Sequence, residues 1–434
     1  MIIGGGVGGL CLAHGLKNAG VSVAVYERTR NRIDWLEGYR VHINPTGARA
    51  LHDCLPKRNW DAFVATAGKP ATGFGFRTER LKELLFLDWS KETLGPSEDF
   101  SSHYSVSRIT LRQVLLGGLN GIVHHGKEFV QYEKGADGKI TASFADGTSA
   151  SGDVLVAADG SNSRVRQQFL PVAQRIETGV RSIGGKLPLN DETRELLPES
   201  FYNCMNTIMP PRDYFMFVAG FQGGETKIPT EFEYKAEPSE QEEEEPEPGL
   251  LFDNNQDYVF WALAAKFEKY PDIDVRKASG SELQAVAQNM MRGWHPDLLR
   301  LVADSDPSTV STVNIRSMSP VAPWPTSNIT LIGDAIHNMT PMAGIGANTA
   351  LKDARLLCEK LVAADRGQQP LLPAIGEYEA AMLEYGFAAV RSSMRRTRQA
   401  TSGNPVKRAI TKRMLRLISN VSPIRRKMAR KMGS

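Results

Sequence analysis

Cysteine is scarce in this chain: four residues in 434, at positions 11, 54, 204 and 358, with no C-x-x-C pair among them. That scatter argues against a disulfide framework or a zinc site and leaves reduced, buried thiols as the plain reading. Long apolar runs are missing too. None approaches the ~20 residues a bilayer span requires, and the amino terminus lacks a basic-then-apolar leader. A cytoplasmic setting is therefore expected. With 41% hydrophobic and 23% charged residues, the composition is that of a globular chain long enough for two domains or one large composite.

Acidic residues are absent from one region entirely. Residues 391–434 hold 14 Lys plus Arg and no Asp or Glu, so the first 390 carry 38 basic against 49 acidic groups, a net −11. An acidic body of this kind is not a nucleic-acid-binding surface. Within the basic tail, Val406, Ile410, Met414, Leu417 and Val421 share one helical face, with Arg408, Lys412 and Arg416 mostly beside or opposite them. Three uses stay open for it: docking on the acidic body or in a dimer, peripheral contact with an anionic membrane, or binding a partner. Either a monomer or a homodimer is compatible with this. A second biased segment, residues 236–248, is a run of glutamates and prolines that reads as a solvated, disordered loop between two strands.

What the chain does have begins almost at once. Gly4, Gly6 and Gly9 form a G-x-G-x-x-G pattern between the apolar Ile2-Ile3 and a helical run over residues 10–19. In a dinucleotide fold the first glycine permits the tight turn and the second lets a pyrophosphate approach the backbone. The third lets helix and sheet pack closely. A second apolar strand over residues 21–26 ends in Glu27, about 20 residues on, where an acid can accept from a ribose diol. Only Met1-Ile2-Ile3 precedes the glycines, so either that strand is short or the native chain begins upstream.

Three further segments carry chemistry. Residues 154–158 form a buried strand running into Asp159-Gly160 and a basic helix start containing Arg164 and Arg166. Residues 329–332 lead into Gly333-Asp334 and His337, then into Pro341, Gly344, Gly346, Ala347 and Asn348. Arg108-Ile109-Thr110-Leu111-Arg112 opens a helix. Between these lie aromatic-rich strands over residues 214–221 and 258–264 and a helix over residues 281–294. Nucleotide-binding character at both ends around a β-rich middle predicts an α/β chain: a discontinuous Rossmann-like cofactor-binding domain with an inserted β-sheet-rich substrate domain. The expected division gives residues 1–75, 100–175 and 311–390 to the first domain and 76–99 and 176–310 to the second. Residues 391–434 form a basic C-terminal helical tail.

The glycine motif, the Asp-Gly motif and the Gly-Asp motif, in this order, resemble those of group A flavoprotein monooxygenases, the single-component p-hydroxybenzoate and salicylate hydroxylase group. The likeness spans landmarks over about residues 1–390, while the β-rich interior and the tail match only in general architecture. The resemblance implies FAD as cofactor, NAD(P)H as co-substrate and O2 as oxidant. Gly4, Gly6 and Gly9 would cradle the FAD pyrophosphate and Glu27 would hold the adenosine ribose. Arg40 falls where the family approaches FAD after the second strand, and Arg108 matches the arginine of a cofactor-contacting R-x-x-L helix. Asp159 would serve both FAD and NAD(P)H, and Asp334 the flavin-side ribose. Pro341, Gly344, Gly346, Ala347 and Asn348 would line the isoalloxazine ring, with the last three N–H groups near its pyrimidine edge. A helix amino terminus suits the negative charge of a reduced flavin. Taken alone, Asp334 reads as a helix N-cap; beside the other motifs it reads as a cofactor ligand. Arg164 and Arg166 also fit solvated charges at a helix start, and His337 fits local packing.

The activity so implied is hydroxylation or epoxidation of a small aromatic or apolar molecule through a flavin C4a-hydroperoxide, in keeping with secondary-metabolite biosynthesis. One glycine motif means no second dinucleotide domain, so NAD(P)H would dock transiently. Phe215, Phe217, Phe221, Tyr258, Phe260 and Trp261 would roof the pocket, although alternation lets only half of them face it. No catalytic acid or base is assigned. Arg181, Tyr214 and Tyr258 are candidates by position, and each fits an ordinary sheet residue equally. Rival readings are a halogenase or reductase on the same scaffold, or a non-catalytic flavin-binding redox sensor. The W-x-W-x-I-P signature of flavin halogenases is absent.

Overall fold

A computed structural model describes residues 1–29, 40–89, 103–211, 213–223, 257–271, 274–275 and 277–433. The acidic segment 236–248 lies outside the described residues. Five short parallel strands form one sheet, in the order Ile329–Leu331, Leu155–Ala157, Ile2–Ile3, Val25–Tyr26, Val123–His124. The central strands are apolar and buried, as a sheet covered on both faces requires. Only Val25 and Tyr26 of the expected 21–26 strand enter the ladder.

Helix Val7–Asn18 follows the first strand and is buried along most of its length, Gly8 to Leu16. It packs on helix Gly346–Asp365 through small residues: a Cβ at Gly8 would lie 3.3 Å from the Ala350 carbonyl oxygen. This close approach sets the amino-terminal turns of the two helices side by side. A three-stranded antiparallel meander (Phe129–Lys134, Ile140–Phe144, Ser149–Gly152) flanks the parallel sheet. All four cysteines are buried free thiols.

The second sheet has seven strands, in the order Ser311–Met318, Arg175–Pro188, Tyr258–Lys266, Tyr214–Phe221, Met205–Ile208, Gly73–Arg77, Glu83–Asp88. Period-two alternation divides its side chains. Ile183, Met216, Val218, Trp261 and Leu263 face helices Gly280–Met290 and Pro296–Ala303 in one core. Trp261 is fully buried there and donates to Ser305 Oγ at 2.7 Å. Phe215, Phe217 and Phe260 point the other way and are only half buried. Two expected divisions shift. Ser311–Met318 is an edge strand of this sheet rather than part of the cofactor domain, and the 75/76 division cuts strand Gly73–Arg77. A strand's own residues do not say which sheet it joins; that is fixed by the pairing of Ser311–Met318 with Arg175–Pro188 and of Gly73–Arg77 with Met205–Ile208.

A two-stranded ribbon, Arg40–Ile43 with Tyr104–Ser107, connects the two sheets. Three helices close the chain: Leu371–Ala400, Pro405–Asn420 and Ser422–Gly433. Leu415 and Ala429, with Ile418 and Met428, pack on Leu84, Leu85 and Leu87. Arg408 is buried and donates to the carbonyls of Pro210 at 2.6 Å and Tyr214 at 2.8 Å, and Lys412 lies 3.6 Å from Glu79. The tail thus docks on the body, but not through the apolar stripe singled out in the sequence. That stripe points away from it. No helix among the described residues is long and apolar enough to cross a membrane.

Candidate functional site

Strand order brings four sequence motifs together. Each follows the carboxyl end of one of four adjacent parallel strands: the Gly4–Gly6 turn after Ile2–Ile3, Glu27 after Val25–Tyr26, Asp159 after Leu155–Ala157, and Gly333-Asp334 after Ile329–Leu331. Ligands of open α/β sheets bind at this edge.

The glycine turn is tightly determined. Gly4 has φ +105°, and a Cβ there would lie 2.4 Å from the Ala158 carbonyl oxygen; one on Gly9 would lie 2.3 Å from the Gly4 carbonyl oxygen. Gly6 differs. It is exposed, a Cβ there meets nothing within 4 Å, and it caps helix Val7–Asn18 without a side-chain hydrogen bond. No acidic residue occupies the first turn, so the N–H groups and positive end of this helix are left for an anion.

Glu27 is held from three sides. Its Oε2 accepts from the Gly5 N–H at 2.6 Å, its Oε1 from the Thr29 N–H and hydroxyl at 3.0 and 2.7 Å, and Arg112 stands 3.5 Å away. Burial alone would raise its pKa, but Arg112, Thr29 and Gly5 hold it below the usual carboxylate range. Asp159 Oδ2 accepts from the N–H groups of Arg164 and Val165, whereas Oδ1 is buried with no protein partner. Burial raises this carboxyl despite those hydrogen bonds. Arg166 is buried and joins two of the motifs, donating to the carbonyls of Ser161 at 3.2 Å and Ala335 at 2.8 Å. Arg164 instead pairs with Glu128 at 2.5 Å.

Asp334 is exposed and is the first residue of helix Asp334–His337, whose N-cap is Gly333; its carboxylate caps nothing. Behind it, Asp353 Oδ2 accepts from the Gly333 N–H at 2.7 Å and lies 2.6 Å from His337 Nε2, while Oδ1 accepts from the Tyr385 hydroxyl at 2.6 Å. His337 and Asp353 are fully buried. Pro341 and Gly344 bracket a turn that puts Met342 against the cluster of Val180, Ala264 and Ile315 of the large sheet, on which Phe215 also packs. Helix Gly346–Asp365 then opens, again with no side-chain cap and no acid in its first turn. The Asn348 side chain fixes its position, donating to the His42 carbonyl at 2.8 Å and accepting from the Asn44 N–H at 2.9 Å.

Two expected residues lie elsewhere. The Arg40 guanidinium donates to the Gly220 carbonyl at 2.7 Å, reaching into the large sheet, and its backbone N–H donates to the Tyr258 hydroxyl. Arg108 is exposed at the start of helix Arg108–Leu116; one helical turn on, Arg112 is the arginine that meets Glu27. Spacing of four residues alone could not choose between them. Of the candidates in the sheet, Arg181 and Tyr214 belong to the helix-covered side. Arg181 lies over the Phe267 and Tyr270 rings, and Tyr214 packs on Trp294. Tyr258 shares the opposite side with Phe217 and Phe260. Beside Met342's contact, a cavity of about 600 Å³ is lined by Val180, Phe267, Met394, Thr397 and Thr401, among others.

The glycine turn, an acid with an orphaned buried oxygen, an exposed acid and two uncapped helix ends fit a dinucleotide such as FAD. Comparison with known proteins agrees. An NAD(P)-binding Rossmann-like domain matches residues 2–66 and an FAD-binding domain matches residues 272–384. The dual O-methyltransferase/FAD-dependent monooxygenase of Phaeosphaeria nodorum is 29% identical over 82% of this chain, and the FAD-dependent urate hydroxylase of Klebsiella pneumoniae is 27% identical over 88%. The matched region is 39% of the first relative's length and 84% of the second's, so the chain spans about two fifths of the dual-function fungal protein. Among solved structures, a Photorhabdus luminescens protein named as an FAD-containing monooxygenase superposes with TM-score 0.78 at 36% identity, covering 92% of this chain and 97% of that one.

Proposed function

This chain belongs to the FAD-dependent monooxygenases, and on that premise we propose that it uses FAD, NAD(P)H and O2 to oxygenate a small aromatic or apolar molecule. The observation that carries the reading is the alignment of Gly6, Glu27, Asp159 and Asp334 along one edge of the parallel sheet. The chemistry FAD supplies when bound is hydride acceptance and O2 activation.

The protein's own residues do the rest. N–H groups of the turn at Gly6 and the helix behind it receive the pyrophosphate. Asp334, exposed, accepts from a ribose hydroxyl, and the free Oδ1 of Asp159 offers a second acceptor on the same edge. Glu27 shapes the ribose end while Arg112 keeps it ionised. The first N–H groups of Gly346, Ala347 and Asn348 stabilise negative charge at the ring end, and Asn348 fixes their position. Pro341 and Gly344 shape the turn that borders the ring. Gly4 and Gly9 allow the fold to close around the pyrophosphate. Arg40 and Arg108 act at the margins of the site, through the large sheet and at the surface respectively.

The substrate lies against the half-buried face carrying Phe217 and Phe260, beside the place where Met342 and Phe215 pack on the sheet. Those rings supply apolar contact and exclude water from the reacting atoms. An aromatic substrate is favoured by this lining. The test is direct. Purified protein should be yellow and release FAD on denaturation. A panel of phenols and hydroxylated heterocycles should contain a compound that stimulates NAD(P)H oxidation and gains one oxygen atom by mass. Flavin that binds but is never reduced by NAD(P)H would indicate a redox sensor instead.

A further inference from the structure

The tail carries a surface that the proposed chemistry does not use. Helix Pro405–Asn420 is docked through Arg408, Leu415 and Ile418, and that side is spent on the body. Val406, Ile410, Met414, Leu417 and Val421 lie on the opposite side, 41% to 64% exposed, and Ile424 of the last helix is 51% exposed. A row of six aliphatic and methionine side chains left in water on a firmly anchored helix is costly for a globular protein and marks a contact surface. Exposed Lys407 and Arg413 flank the row on its two sides, with Arg416 on the shoulder and Arg425, Arg426 and Lys427 beyond its end. No acidic residue occurs anywhere in residues 391–434.

We infer that this face lies on the surface of an anionic lipid bilayer, with the apolar row entering the headgroup boundary and the flanking cations against lipid phosphates and carboxylates. Complementary charge selects this occupant: residues 391–434 hold 14 positive groups and no acid of their own, and although Arg408 and Lys412 are spent on the body, Lys407, Arg413, Arg416, Arg425, Arg426 and Lys427 stay exposed around the row. A second copy meeting this face with the same face, as a two-fold contact does, would bring the same positive surface and be repelled. Shape agrees. The face is a single convex row without aromatic anchors or a groove, which suits insertion between lipids and gives little for a protein partner to grip. From Val406 to Val421 the row runs about 22 Å along the helix, enough to lie in the membrane plane while the body stays in water. The mode is peripheral, consistent with the absence of a spanning helix among the described residues.

The experiment is co-sedimentation of the full-length flavin-loaded protein with phosphatidylcholine vesicles, with and without phosphatidylserine at about one third of the lipid. Binding is expected only to the anionic vesicles and should weaken steeply as salt rises. Arg413→Gln with Arg416→Gln should weaken it about thirtyfold, from about fivefold per lost charge. Ile410→Ser with Leu417→Ser should weaken it about tenfold or more. Both double variants should keep wild-type flavin content and thermal midpoint, because these side chains are exposed and away from the cofactor edge. Equal binding to neutral vesicles, no binding to either kind, or undiminished binding by the two double variants would overturn the inference. So would light scattering showing a wild-type dimer that Ile410→Ser/Leu417→Ser converts to monomer, since the row would then be a self-association surface.

Discussion

Gly5 donates its backbone N–H to Glu27 Oε2 at 2.6 Å, locking the glycine turn to the end of the neighbouring strand. A carboxylate with three donor groups and Arg112 around it is pre-set before any ligand arrives. Glu27→Gln keeps the shape but removes the charge facing Arg112. FAD affinity should fall about tenfold, the amount typical of a supporting residue. Acid stability should change in a defined direction. Because the folded pKa is held below the ordinary value, ionised Glu27 stabilises the protein above pH about 4.5 and that contribution disappears as pH falls through the folded pKa. The variant should therefore be less stable at neutral pH and lose less on acidification, as read by urea midpoints between pH 3 and pH 7. Parallel curves for the two proteins would contradict this.

Gly6 and Gly9 separate binding from folding. A methyl group on Gly9 collides with the Gly4 carbonyl, whereas one on Gly6 meets open space and its backbone, φ −78°, is acceptable to any residue. Gly6→Ala should fold with a thermal midpoint within a few degrees of wild type yet bind FAD about tenfold or more weakly, because the new methyl occupies the phosphate's approach. Gly9→Ala should lose stability itself. Flavin content after gel filtration, read beside the thermal midpoint, distinguishes them. A flavin-replete Gly6→Ala would remove the pyrophosphate from this turn.

These contrasts show what the sequence could and could not convey. The glycine, Asp-Gly and Gly-Asp motifs were legible because each is a local backbone device with its own spacing, and the fold class followed from their order. Long-range choices were not. Arg108 and Arg112 are one turn apart on the same helix, and only the packing of that helix against the sheet decides which meets Glu27. Asp353 sits mid-helix between Lys352 and Ala354 with no motif to mark it, yet it organises Gly333, His337 and Tyr385. The tail's apolar stripe was correctly located, but periodicity cannot tell a face turned inward from one turned out. Here Leu84, Leu85 and Leu87 capture Leu415 instead.

The His337–Asp353 pair gives a second pH prediction, of opposite sign. Burial alone would lower the His337 pKa; Asp353 against its ring outweighs that and raises it. Protonated His337 therefore stabilises the fold fully below about pH 6.5, the unfolded value, and that contribution is lost as pH rises through the higher folded pKa. Asp353→Asn should cost about 3–5 kcal/mol, as breaking a buried pair does. It should also abolish this share of the alkaline loss. The gap between wild-type and variant stability should narrow from pH 6 to pH 9 in chemical denaturation. A constant gap would mean that the pair does not change protonation over that range.

The assignment of the substrate face rests on the two sides of one sheet, and adjacent strand positions can test it. Phe260 and Trp261 are neighbours in the chain but point in opposite directions: Trp261 into the core under the helices, Phe260 toward the Met342 side, where its ring lies 6.4 Å from that of Phe217. Trp261→Ala should cost about 3–5 kcal/mol through the cavity it leaves and also breaks the hydrogen bond to Ser305. Its kinetic constants, in whatever fraction folds, should stay close to wild type. Phe217→Ala and Phe260→Ala remove half-exposed rings, so each should cost only about 1–2 kcal/mol. Their effect should fall on the organic substrate instead. KM for that molecule should rise about tenfold, from about 1.4 kcal/mol of lost contact per ring, with KM for NAD(P)H unchanged. Looser exclusion of water should also let NAD(P)H be consumed without oxygenated product, so hydrogen peroxide should increase as coupling falls. Steady-state kinetics with a product-to-NAD(P)H ratio, set beside thermal midpoints for all three variants, reads every part of this. If Phe217→Ala and Phe260→Ala turn over the substrate as tightly and as coupled as wild type, the substrate does not lie against this face of the sheet.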